Sequence, residues 1–91
     1  MDETVLFRIF YIFFPDGQSA LFEQIVRFSE FIEQCRFYSE RQRQQIIRES
    51  IKLEVRRGYL EQVDVDGTTL YRLTPDGIQY SNLIKSSASN S

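Results

Sequence analysis

Histidine is absent from this sequence, and cysteine occurs once, at Cys35. Without histidine no Ser-His or Cys-His pair is available for nucleophilic catalysis. With one cysteine, a single chain forms neither an intramolecular disulfide nor a zinc site of the usual Cys/His kinds. There is no Walker loop and no G-x-G-x-x-G fingerprint, and "VDVDG" at 63–67 lacks the downstream glutamate and the spacing of a calcium loop. The carboxylates are scattered over expected surface, so the sequence reads as a non-enzyme with no metal and no cofactor. Long apolar runs are lacking too. "VLFRIFYIFF" at 5–14 contains Arg8 and stops at Pro15, too short to cross a bilayer. Asp2 and Glu3 stand where a secretory signal would carry Lys or Arg. A lone cysteine suits a reducing compartment. The expectation is a cytoplasmic protein without membrane contact.

Positive charge is scarce except in one place. Residues 1–40 hold seven acids and three bases, and residues 58–91 hold four acids and two bases. Residues 41–57 reverse this, with six bases and two acids. More than half of the cationic side chains therefore sit in seventeen residues, in a chain of net charge −2. The 91 residues, 42% hydrophobic and 14% aromatic, suffice for one domain with a real core. That domain is assigned to residues 1–85. The small polar tail "SSASNS" at 86–91 is expected to be disordered.

Residues 3–14 favour a buried helix over a strand, because strict alternation is missing and the run is long. "PDG" at 15–17 is a turn by its chemistry. In "SALFEQIVRFSEFIEQC", residues 19–35, Leu21, Phe22, Ile25, Val26, Phe28, Ile32 and Cys35 recur at helical spacing, with Ser19 as the expected N-cap. Cys35 reads as a small hydrophobe on that face. "SERQ" at 39–42 is a capping box that opens a third helix, and Gly58 after Arg56 and Arg57 closes it. Ile46, Ile47, Ile51 and Val55 are expected to point inward. On a wheel of that helix Arg41, Gln45, Arg48, Lys52 and Arg56 fall in one stripe about 80° wide. Asp66-Gly67 is the two-residue turn of a hairpin that sets Val63 against Leu70, Glu61 against Arg72 and Leu60 against Leu73. Pro75 then begins a last short helix with an apolar edge of Tyr80, Leu83 and Ile84.

The order of three helices, a hairpin and a closing helix predicts a mainly α fold with a small β-hairpin. With "RRGYLEQ" at 56–62 after the third helix and "YRLTPDG" at 71–77 closing the hairpin, residues 40–80 resemble the winged helix-turn-helix domains of PadR- and MarR-type transcriptional regulators. The resemblance makes residues 40–57 the recognition helix and residues 60–73 the wing. It implies double-stranded DNA as the partner, with Arg41, Gln44, Gln45 and Arg48 approaching bases, Lys52 and Arg56 nearer phosphates, and Arg43 also among the DNA-binding residues. Arg and Gln are side chains that make paired hydrogen bonds to guanine and adenine. A first helix apolar on nearly every side needs cover that a second copy would supply, so a homodimer joined through the N- and C-terminal helices is expected.

Two features weigh against it. Asp64 and Asp66 make the wing tip acidic, and a pI near 5.1 is low for a DNA binder. The alternative is a winged-helix protein adaptor that uses the acidic wing or the aromatic first helix. The stripe discriminates: DNA binding needs it exposed and unpaired, whereas the adaptor tolerates it spent on internal ion pairs. Phe7, Phe10, Phe13 and Phe14 read as core before they read as a contact surface. Phe37 and Tyr38 read as plugs ahead of the third helix.

Overall fold

Val5–Phe13 form helix α1, whose apolar side chains are largely covered within the chain, Ile12 excepted. The computed structural model describes residues 5–89, so Glu3 and Thr4, expected to open α1, lie outside the described residues. Val5, Leu6, Phe7, Ile9, Phe10 and Phe14 are all buried. Phe13 is half-buried, stacked on Phe28 with ring centroids 4.5 Å apart. Three of the four phenylalanines are thus core, as expected, and the fourth sits at its margin. The turn after α1 places both Asp16 (φ 60°) and Gly17 (φ 76°) in the left-handed region.

Helix α2 spans Phe22–Ser29, shorter than the apolar periodicity suggests at both ends. Ser19 is not its cap. Leu21 occupies that position, its N–H donating to Gln24 Oε1 at 2.9 Å. Ala20 cannot join the helix because its backbone exchanges two 2.8 Å hydrogen bonds with Tyr71. At the other end Ser29 Oγ donates to Val26 O and accepts from Arg43 Nε, and the chain leaves the helical path at Glu30. A single 3-10 turn, Glu33–Cys35, follows and buries Ile32 and Cys35. These two residues plug the space below the next helix, not Phe37 and Tyr38. Phe37 is 90% exposed, with the Arg36 guanidinium 5.4 Å from its ring centroid, and Tyr38 is exposed as well.

Helix α3, Glu40–Arg57, has the capping expected of it. Gln42 N–H donates to Ser39 Oγ at 3.2 Å, and Ser39 N–H donates to Gln42 Oε1 at 2.8 Å. Gly58, at φ 83°, ends the helix in a conformation that costs an L side chain energy. The inward face differs from the one expected. Ile47 and Ile51 are buried, but Ser50 and Glu54 are buried beside them, Ile46 is half-buried and Val55 is 40% exposed. The buried arc is centred near Ile47, Ser50 and Glu54, which leaves Val55 roughly a quarter-turn off it.

Strands β1 (Leu60–Val65) and β2 (Thr68–Leu73) pair antiparallel in the register expected, with Leu60 opposite Leu73, Glu61 opposite Arg72 and Val63 opposite Leu70. Asp66 and Gly67 both have positive φ, as a type I′ turn requires. Arg72 Nε donates to Glu61 Oε1. Leu60 and Leu73 enter the core, and Gln62 and Tyr71 lie beyond them on the same face. Helix α4, Pro75–Ser89, runs past residue 85, and residues 90 and 91 lie outside the described residues. Its start is capped by Thr74, whose Oγ1 accepts from Gly77 N–H and donates to Gly58 O. Tyr80 stacks on Tyr59 and meets Phe7, Ile84 is half-buried, and Leu83 points outward. Among the described residues four α-helices and a two-stranded hairpin thus share one core. Among the described residues no helix is long and apolar enough to cross a membrane.

Candidate nucleic-acid interface

The helical phase of α3 decides which cations can act together. Ile47, Ser50 and Glu54 anchor one side of the helix against α1, α2 and β1. The side half a turn away carries Arg41, Gln45, Arg48, Lys52 and Arg56, every one exposed. Among the described residues none of these four cations takes part in an ion pair. Acids do lie nearby. Gln45 Nε2 donates to Glu49 Oε1 at 3.3 Å, which holds the amide against the edge of the stripe.

The seven residues singled out do not form one set. Arg43 is turned into the fold: Nε donates to Ser29 Oγ at 3.0 Å and a terminal nitrogen donates to Tyr38 O at 3.0 Å. Its guanidinium fastens the end of α2 and the loop before α3 to the helix. Gln44 faces a second depression between α2 and α3 of mixed charge, lined by Glu23, Glu40, Arg27 and Arg48. Arg57, outside the stripe, lies 3.6 Å from the buried carboxylate of Glu54.

Beside the stripe runs a groove of about 540 Å³ that the spacing of the basic residues did not disclose. Arg48, Lys52 and Arg56 form one wall, at successive turns of α3. Ile51, Val55, Phe22 and Tyr71 supply an apolar floor, and Gln62 closes the hairpin side. The Arg48 guanidinium stands 5.1 Å from the Phe22 ring centroid, a cation–π contact that fixes one end of the wall. The pairing of Gln62 with Tyr71 follows from the hairpin register and was legible in the sequence. The arrival of Phe22 was not, since it depends on where the Ala20–Tyr71 bridge halts the chain before α2.

Three unpaired cations over an apolar floor can hold an extended anion and bury carbon surface next to it. Comparison of the chain with protein-family models, with characterised proteins and with solved structures finds no match.

Proposed function

We propose that this chain is a winged helix-turn-helix domain that binds double-stranded DNA through α3, as a small cytoplasmic regulator of transcription acting as a homodimer. The observation that carries the reading is the stripe itself. Arg41, Arg48, Lys52 and Arg56 are exposed and form no ion pairs among the described residues, although the rest of the chain is net acidic. A folded protein with spare carboxylates leaves four cations on one helix face without a carboxylate partner among the described residues. Phosphates would take that place.

The element order supports the same reading. A helix, a residue bridged to the sheet edge at Ala20, two further helices and a hairpin follow one another as in winged-helix domains. The connection between α2 and α3, residues 30–39, is longer than the three- to four-residue turn of a minimal helix-turn-helix and holds the 3-10 turn. The hairpin tip, with exposed Asp64 and Asp66, would stay off the phosphates, so that α3 does the binding. Of the two surfaces the adaptor alternative could use, burial of Phe7, Phe10 and Phe14 weighs against the aromatic helix, while the acidic wing stays exposed. For the homodimer, α1 and α4 pack together and each exposes a large apolar side chain, Ile12 and Leu83. A second copy covering them would present two α3 helices to two half-sites.

Fluorescence anisotropy with mixed-sequence duplex DNA over a salt series tests the assignment. Four phosphate contacts per domain give a log–log slope of roughly −3.6. Arg41→Glu with Lys52→Glu should abolish binding while the circular dichroism melt stays put. Unchanged affinity in that double variant, or no binding at low salt, would sink the DNA reading.

A further inference from the structure

The groove beside the stripe has a floor that DNA does not need. Duplex DNA offers phosphates, sugar and base edges, and its main apolar group in the major groove is the thymine methyl. Val55 is nevertheless 40% exposed between Lys52 and Arg56, and Phe22 and Tyr71 extend the apolar surface from two other elements. A single exposed valine would mean nothing. Here the apolar side chains are contiguous, concave and bordered by charge of one sign. The lining holds three cations and no carboxylate.

We infer that this groove docks an acidic amphipathic helix from a protein partner. Charge complementarity selects the occupant: acids along one flank would pair with Arg48, Lys52 and Arg56, while apolar residues at i, i+3/i+4 and i+7 would fill the floor. The dimensions agree. Arg48 to Arg56 is eight residues, about 12 Å of helix, which matches two turns of a partner lying alongside. Val55 is the central apolar contact, flanked on its own helix by two of the pairing cations. The floor is preformed, because Tyr71 is fixed by its backbone bonds to Ala20 and Phe22 by the Arg48 stack. Little ordering is therefore needed in the groove itself.

This inference stands on the groove and does not require DNA binding. If both hold, they are linked: a docked helix covers Arg48, Lys52 and Arg56, so the acidic partner and DNA exclude each other on α3. The partner would act as a competitive regulator.

The test uses the full chain and two fluorescein-labelled synthetic peptides of about three helical turns. One places Leu and Phe on a single face with Glu beside them. The other has the same composition in scrambled order, with identical charge. The amphipathic peptide should bind and the scrambled one should bind at least about tenfold more weakly. Val55→Asp and Lys52→Glu should each weaken the amphipathic peptide by about tenfold, and both sites are exposed enough to leave the fold intact. Amide chemical shifts should move at Val55, Gln62 and Tyr71. Equal binding of the two peptides would reduce the groove to a charged surface and overturn the inference. So would binding that ignores Val55→Asp, or no binding of either peptide. Duplex DNA binding is measured separately on the same variants. DNA bound with no peptide bound leaves the DNA reading standing and removes this one, and the converse result does the opposite.

Discussion

Arg41 and Arg43 are two positions apart on α3, so their side chains leave the helix about 160° apart. Arg41 reaches solvent, and Arg43 donates to Ser29 Oγ and Tyr38 O. Charge-assisted hydrogen bonds of this sort contribute about 2 kcal/mol. Arg43→Met should therefore lower unfolding free energy by about 2 kcal/mol in urea titration, and Arg41→Ala should change it by under about 0.5 kcal/mol. If DNA binding is real, the order reverses when affinity is measured below the melting transition: Arg41→Ala weakens binding and Arg43→Met does not. Gly77 gives a second contrast. A Cβ there would lie 1.9 Å from Tyr59 O, whereas one on Gly58 meets nothing within 4 Å and is penalised only by its φ of 83°. Gly77→Ala should cost about 3 kcal/mol because the Tyr59 backbone must move. Gly58→Ala should cost about 1 kcal/mol. Equal losses in the two denaturation curves would mean that α4 does not press on Tyr59 as described.

At the scale of elements, the second half of the chain was readable because its boundaries are set by local chemistry. The Ser39/Gln42 box, Gly58, the Asp66-Gly67 turn and Pro75 each impose a backbone conformation, whatever surrounds them. Ser39→Ala should remove the cap and cost about 1 kcal/mol, read as a lower midpoint in thermal melts with DNA affinity at low temperature little changed. Helix α2 was misjudged because its ends are set by distant partners: Tyr71 at one end and Arg43 at the other. Periodicity alone cannot register either contact. The candidate site divides the same way. The stripe lies on one helix, so its phase could be worked out from spacing, and Arg41, Gln45, Arg48, Lys52 and Arg56 do share a face. Arg43 lies off that face, and the Ser29 hydroxyl that captures it belongs to α2, out of reach of any spacing rule within α3. The groove floor draws on α2 and β2 as well, and no spacing rule brings Phe22 to Tyr71. Val55 was assigned inward by its hydrophobicity, while Ser50 and Glu54 took the buried arc.

Across the whole molecule, exposed apolar side chains fall on several elements, Val55 among the cations of α3 included. The unpaired cations occupy one face of α3, whereas Ile12 and Leu83 break the surface on α1 and α4. The dimer reading predicts that sedimentation equilibrium will give twice the chain mass, and that Ile12→Glu with Leu83→Glu will give the monomer with its secondary structure unchanged. Loss of the dimer should also weaken DNA binding, since two half-sites are then engaged independently. A wild-type chain that sediments as a monomer at high concentration would rule that arrangement out.

The two hydrogen bonds between Ala20 and Tyr71 also have a consequence for synthesis. They close a loop that contains α2, α3 and β1, and the partner that closes it lies in β2, fifty-one residues further along the chain. A nascent chain emerging from a ribosome has α1 and the segment that becomes α2 in hand early, but nothing yet to stop that segment at Phe22. The apolar side chains of α1 wait, uncovered, until β2 and α4 have cleared the exit. Folding of this domain therefore waits on Tyr71, and a message cut short of that residue would yield a chain with a hydrophobic helix and an incomplete core.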